Sequence, residues 1–157
     1  MSESVARVVA ALRGHGLAAQ VVEYPEGTRT AAEAAAAVGC DVDQIVKSIA
    51  FRGEASGRCL LFLTAGGNRV DPQLAMGLAG EPLAKADADF VRVETGFAIG
   101  GVAPVGHARP IRAWGDPRLL DFPRVWAAAG TPRHVFPAEP RALLSAAGAE
   151  VAHFALR

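Results

Sequence analysis

Two parts of this sequence have residue types and spacing suited to chemistry. The stretch Thr95-Gly96-Phe97-Ala98-Ile99-Gly100-Gly101-Val102-Ala103-Pro104-Val105-Gly106-His107 carries no Asp, Glu, Lys or Arg, and its four glycines and one proline forbid a smooth helix. Gly100-Gly101 can present main-chain N–H and C=O groups with no Cβ in the way. Pro104 sets the next bend, and His107 stands at the exit as a polar group beside an apolar wall. The second part is Lys47, which follows Ile45 and Val46. Together they describe a substrate pocket in which bare backbone approaches a reacting group and an ammonium anchors an anionic or polarised oxygen. Each residue also has a plainer reading. Lys47 could be a solvated strand end, and His107 a loop histidine satisfied by backbone.

The elements that must position them follow from periodicity. Val5, Val8, Val9 and Leu12 repeat at helical spacing after Ser2 or Ser4, and Gly14 or Gly16 stops the run. A short strand over 21–24 should end at Pro25, and Tyr24 reads as core or pocket wall. Thr30-Ala31-Ala32-Glu33 is a capping box that opens an alanine-rich helix finishing at Gly39. Residues 41–48 read as a short turn or helix leading into a strand over 49–52. The nearly continuous apolar run 58–64 predicts a strand covered on both faces. Asp71-Pro72 starts a helix ending at Gly80, and Asp87 or Asp89 caps a short helix through Val93. Strands are expected over 111–114, 125–129 and 134–136, the last closed by Pro137. A helix over 139–147 and an edge strand over 151–154 complete the chain. Without regular βαβ alternation, the expected class is α/β with a mixed, curved, barrel-like sheet flanked by helices.

Composition bounds the function. At 157 residues the expectation is a single domain, 1–157, burying roughly two-thirds of its unfolded surface. Hydrophobic residues make up 51% but aromatics only 6%, so the core should be aliphatic and closely spaced. Sixteen basic and sixteen acidic residues cancel, which argues against non-specific phosphate attraction but leaves room for a nucleic acid held by its end. No apolar run approaches the ~18 residues of a membrane helix, and Met1-Ser2-Glu3-Ser4 lacks the order of a signal peptide, so a soluble cytoplasmic protein with no membrane partner is expected. Cys40 and Cys59 have no metal-site spacing and read as small core residues. His15, His134 and His153 are not spaced as ligands either, so neither a metal nor a cofactor is expected. Trp114 and Trp126 read as core.

These residues carry a resemblance. The sequence is similar to the YbaK family of aminoacyl-tRNA deacylases and to the editing domain of bacterial prolyl-tRNA synthetases. The similar segments are Thr30 with its alanines, Gln44-Ile45-Val46-Lys47-Ser48, Asn68-Arg69-Val70-Asp71, Thr95-Gly96, Gly100 to His107, Asp116, and Val125-Trp126-Ala127-Ala128-Ala129-Gly130. The resemblance implies a mixed, barrel-like sheet and hydrolysis of the ester joining a wrong amino acid to the 3′ end of a tRNA. The implied substrate is tRNA for proline carrying alanine, cysteine or serine, gripped at its acceptor end, with prolyl-tRNA synthetase as a possible helper. The family's functional positions map onto Lys47, Gly100, Gly101 and Pro104.

An aminoacyl ester is already activated, so the site has only to hold it, place a water and stabilise an oxyanion. Backbone of Gly100 and Gly101 suits the oxyanion, Lys47 anchors the terminal nucleotide or ester oxygen, and His107 would orient water or ribose. Thr30, first a helix cap, Pro104, Gly106 and Asp116 complete the expected binding set, Asp116 in support. Two other readings share these residues: a non-catalytic tRNA- or nucleotide-binding module, and a hydrolase of another small aminoacyl ester.

Overall fold

The computed structural model describes residues 2–24 and 30–157; Pro25, the expected end of the first strand, lies outside them. The core is a mixed sheet whose path runs β1 (Val22–Glu23), β8 (His134–Ala138), β7 (Val125–Ala128), β2 (Ile45–Gly53), β3 (Cys59–Ala65), β6 (Arg112–Gly115) and β9 (Ala149–Val151). β5 (Leu83–Lys85) pairs with β2 off this path, and β4 (Arg69–Val70) pairs with β10 (Ala155–Leu156) in a separate ribbon. β2 with β7, β3 with β6 and β6 with β9 are parallel, and the other pairs are antiparallel.

The helices are α1 (Glu3–Gly14), α2 (Ala31–Val38), α3 (Pro72–Ala79), α4 (Ala88–Thr95) and α5 (Pro140–Ala146). Their starts are chemical. The side chains of Ser2, Thr30, Asp71, Asp87 and Glu139 each accept a main-chain N–H of the first turn, satisfying donors that a helix leaves orphaned. Gly39, Gly80 and Gly96 close α2, α3 and α4 in left-handed conformations.

β3 is buried at every position, as its apolar run requires. Leu61 and Leu63 face a large core shared with Val8, Leu12, Phe97, Val105 and Leu143. Leu60 and Phe62 face the opposite way, against Trp114, Phe154 and Ala75. Phe62 stacks on Trp114 at 4.8 Å and meets Phe154 edge-on at 5.0 Å. A third cluster sets Ala34 and Ala35 of α2 on Ile45, Trp126, Val135 and Tyr24.

The structure moves several expected boundaries. β2 begins at Ile45, because the Asp41–Gln44 capping box encloses only a 3-10 turn over Val42–Gln44 and β7 recruits Ile45 and Val46. β8 continues through Pro137, which pairs with Trp126 where β1 no longer reaches. Residues 152–154 do not form the expected strand: β9 ends at Val151, and Phe154 is drawn into the core instead. Cys59 is buried, Cys40 is half-buried, and both are free thiols.

Candidate active site

β2 carries the site because its two faces and its outer edge serve different neighbours. Alternation along the strand puts Val46 into the large core and Ile45 under α2, so Lys47 shares the α2 face. The parallel ladder with β7 covers only Ile45 and Val46, and β5 pairs only from Phe51 onward. Between them the outer edge of β2 is open. A cavity of about 320 Å³ occupies this slot, near the lower end of small-molecule sites. Thr30, Ala31 and Ala34 wall it from α2, and Lys47 and Ser48 from β2. Trp126 and Ala128 approach from β7, Ile99, Gly100 and Val102 from the glycine-rich loop, Thr131 from the turn before β8 and His134 from the first position of β8.

Lys47 is half-buried, and its ammonium donates to the main-chain carbonyl of Asn68. Asn68 in turn donates its amide to Asp116 at 2.9 Å. The buried Asp116 carboxylate also accepts the N–H groups of Ala65 and Arg118, both at 3.0 Å. Beside it lies buried Asp43, which accepts from Gly67, Arg118 and Arg157. Burial pushes the Lys47 ammonium below its ordinary 10.5, while the carboxylates of Asp116 and Asp43 pull it back toward the charged form. The result is a cation tied to one main-chain carbonyl on a residue that lines the cavity, with N–H donors to spare.

The loop is closed at its neck, where Ala108 N–H donates to the Thr95 carbonyl at 2.9 Å. Gly101 N–H donates to the Ala98 carbonyl at 3.0 Å, so Ala98 to Gly101 form a turn with Ile99 and Gly100 at its tip. Gly100 stands there at φ 89°, a conformation reserved for glycine.

A family model described as aminoacyl-tRNA editing domain matches residues 25–146. The chain belongs to this family. A solved structure described as that of a candidate trans-editing enzyme for prolyl tRNA synthetase is 51% identical, covering all of this chain and 99% of that one at a TM-score of 0.92. The hypothetical protein APE2540 is 31% identical over 96% of this chain and 99% of its own, at a TM-score of 0.87. Uncharacterized protein YwhH of Bacillus subtilis (strain 168) is 29% identical over 123 residues, 78% of each chain.

Of the expected residues, the editing domain brings Lys47, Gly100 and Thr30 to one cavity. Thr30 is also the α2 cap, accepting Glu33 N–H at 3.1 Å. Gly101 is buried behind the turn, and its N–H is spent on Ala98 rather than turned inward. Pro104, Gly106 and His107 do not line the cavity. They border a separate shallow depression with Ala146 and Ala147, because the loop doubles back over α1 after Val102. Gly106 stands at φ 80°, where any side chain is strained, and a Cβ there would press on the Arg7 carbonyl oxygen at 3.2 Å. His107 donates through Nε2 to the Ala103 carbonyl at 2.7 Å and sits edge-on to Phe97. Burial above all holds it below its ordinary 6.5, and the nearby Arg7 charge adds to this, against the pull of the Ala103 hydrogen bond. This is the plainer reading, a loop histidine satisfied by backbone. Asp116 likewise lies behind the cavity, acting on Lys47 through Asn68. Among the described residues no group of His, Cys, Asp and Glu is arranged to hold a metal, and no helix is long and apolar enough to cross a membrane.

Two residues outside the expected site set, Thr131 and His134, also border the cavity, and only His134 has a reading from sequence, as a histidine not spaced to bind metal. His134 Nδ1 lies 2.6 Å from Thr131 Oγ1, and both border the cavity. Their three-residue spacing at a turn was visible, but nothing local tied it to Lys47.

Proposed function

We propose that this editing domain is a deacylase that acts in trans on tRNA for proline carrying a small wrong amino acid, alanine, cysteine or serine. The observation that carries this reading is the shared cavity of Lys47 and Gly100. Further support comes from the relative described as a candidate trans-editing enzyme for prolyl tRNA synthetase. The alanines of α2, with Ile45, Trp126 and Val135, make an apolar wall suited to a short side chain. Rejection of proline would then be steric, since attraction discriminates a methylene by only ~1–3 kcal/mol.

In this reading Lys47 fixes the ester or the terminal nucleotide, and the turn tip at Gly100 confines it. Water adds to the ester carbonyl carbon, and the C=O electron pair moves onto oxygen. When that pair returns, the bond to the ribose oxygen breaks. The ribose oxygen takes up the proton that the water releases, with the neighbouring ribose hydroxyl as relay, leaving a free amino acid and an uncharged tRNA end. Neutral overall charge fits a grip on the acceptor end rather than along the whole tRNA.

The test is incubation with tRNA for proline charged separately with alanine, cysteine, serine or proline, followed by ester loss. Loss from a small amino acid with prolyl-tRNA spared is expected, and Lys47→Ala should slow it about tenfold or more. Binding without ester loss would make the chain a non-catalytic module. Loss only from small esters would remove tRNA from the reading.

A further inference from the structure

The first two turns of α1 touch, from behind, both segments that meet at the cavity. Arg7 Nη2 donates to the Gly96 carbonyl at 2.7 Å, and its guanidinium lies over the Phe97 ring, 4.6 Å from the centroid. Gly96 and the buried Phe97 lead directly into the Ala98–Gly101 turn that carries Ile99 and Gly100. A Cβ at Gly96 would sit 2.6 Å from Nη2, so the guanidinium fills the space of the missing side chain. The returning limb of the loop comes back to the same helix residue, with Gly106 against the Arg7 carbonyl. Gly130, which leads into Thr131, packs on the Ser4 carbonyl: a Cβ there would stand 2.8 Å from that oxygen and 3.2 Å from the Phe97 ring. One face of α1 therefore seats the loop of Ile99 and Gly100 beside the segment of Thr131 and Pro132, and all four line the cavity.

Packing alone does not explain an arginine here. Arg7 is half-buried, its Nε is buried with no hydrogen-bond partner among the described residues, and none of their carboxylates lies within ion-pair distance of it. A guanidinium placed so loses hydration that an apolar side chain of similar length would never have had. What the cation does provide is a charge-assisted bond to one carbonyl and a planar face for one ring, on the two residues that enter the turn. We infer that Arg7 is a positioning residue of the deacylation site: by holding the Gly96 carbonyl and the Phe97 ring, it sets where the Gly100 tip stands in the cavity it shares with Lys47. This inference rests on the deacylase reading above. Arg7 does not itself line the cavity and acts through the loop. A tip fixed from a helix needs no reorganisation when the ester arrives, which is the condition for a supporting residue to matter in the transition state.

Arg7→Met and Arg7→Lys test it in alanyl-tRNA deacylation. Methionine keeps an unbranched apolar stem but removes donor and charge; lysine keeps a donor and the charge but loses the planar fork. Arg7→Met is expected to lower kcat about tenfold, within the ~10²-fold that a 1 Å misplacement costs, with KM within about twofold. Arg7→Lys should recover at least about threefold of that loss. Arg7→Met should melt within about 3 °C of wild type, because the apolar replacement avoids the desolvation. Leu12→Val, a fully buried change later in the same helix, should melt lower yet keep kcat within about twofold. Hydrogen exchange reads the loop whatever the chain hydrolyses: Gly101 N–H, bonded to Ala98, should exchange at least about tenfold faster in Arg7→Met while the β3 amides stay protected. An unchanged kcat, a loss confined to KM, no recovery with lysine, an equal fall in Leu12→Val, or unchanged exchange at Gly101 would each overturn the assignment. If Gly101 exchange responds to Arg7→Met but the wild-type chain hydrolyses no aminoacyl-tRNA, the deacylase reading falls instead and the hold of Arg7 on the loop is upheld.

Discussion

Gly101→Ala is the most severe single-methyl change that the site geometry defines. A Cβ at position 101 would lie 2.6 Å from Thr131 Cα, 2.7 Å from its carbonyl carbon and 2.9 Å from its nitrogen, where ordinary contact begins at 3.4 Å. The obstacle is backbone, so no side chain can rotate away. Either the turn or the Thr131 segment must retreat by about 0.8 Å, the gap between 2.6 and 3.4 Å. Both segments wall the cavity, through Ile99 and Gly100 on one side and Thr131 and Pro132 on the other. A displacement of ~1 Å at a positioning group costs on the order of 10²-fold in rate, and overpacking a tight contact costs ~1–3 kcal/mol of stability. Gly100→Ala makes a useful contrast: its Cβ would meet only the Pro132 ring at 3.6 Å, so its cost is left-handed strain at φ 89° without a clash. The assay is single-turnover deacylation of mischarged tRNA, with thermal melting run beside it. Gly101→Ala should lose about a hundredfold in rate and melt lower than Gly100→Ala. Activity within threefold of wild type, with unchanged melting, would refute the claim that this backbone contact sets the cavity.

Two further outcomes follow from charge. The Lys47 ammonium is lowered by burial and sustained by Asp116 and Asp43, so deacylation corrected for spontaneous hydrolysis should hold through neutral pH and fall as pH rises through a value under 10.5. Asp116→Asn should move that fall to lower pH, and a pH–rate profile in which it stays put or moves up would contradict the link. Asp43 is pushed up by burial, but the Arg118 and Gly67 hydrogen bonds and the Arg157 charge outweigh that and hold it below its ordinary 3.8. Its stabilisation is therefore complete above 3.8 and disappears as pH falls through the lower folded value. Asp43→Asn should cost ~2–3 kcal/mol at pH 7, the scale of hydrogen bonds to a charged group, and the gap to wild type should close in acid. Urea melts across pH measure both.

Much of the architecture was written locally. Ser2, Thr30, Asp71 and Asp87 mark helix starts because a side-chain oxygen beside unpaired N–H groups needs no distant partner. The uninterrupted apolar run of β3 announces cover on both faces, and the charge-free glycine loop announces a packed bend. The pairing of Lys47 with Gly100 was legible through family resemblance, since nothing in the spacing of those residues brings them together. Tertiary structure alone decided the rest. β2 starts at Ile45 because β7 pairs there, a contact across some eighty residues of chain. The slot exists because β7 stops pairing before β5 begins, and that gap lets Lys47, Gly100 and His134 line one cavity. His107 turns to its own loop carbonyl because Gly106 packs the chain against α1. Side-chain type and short-range pattern fix which groups are available; long-range strand pairing fixes which of them share a cavity, because only a folded sheet has an edge to leave open.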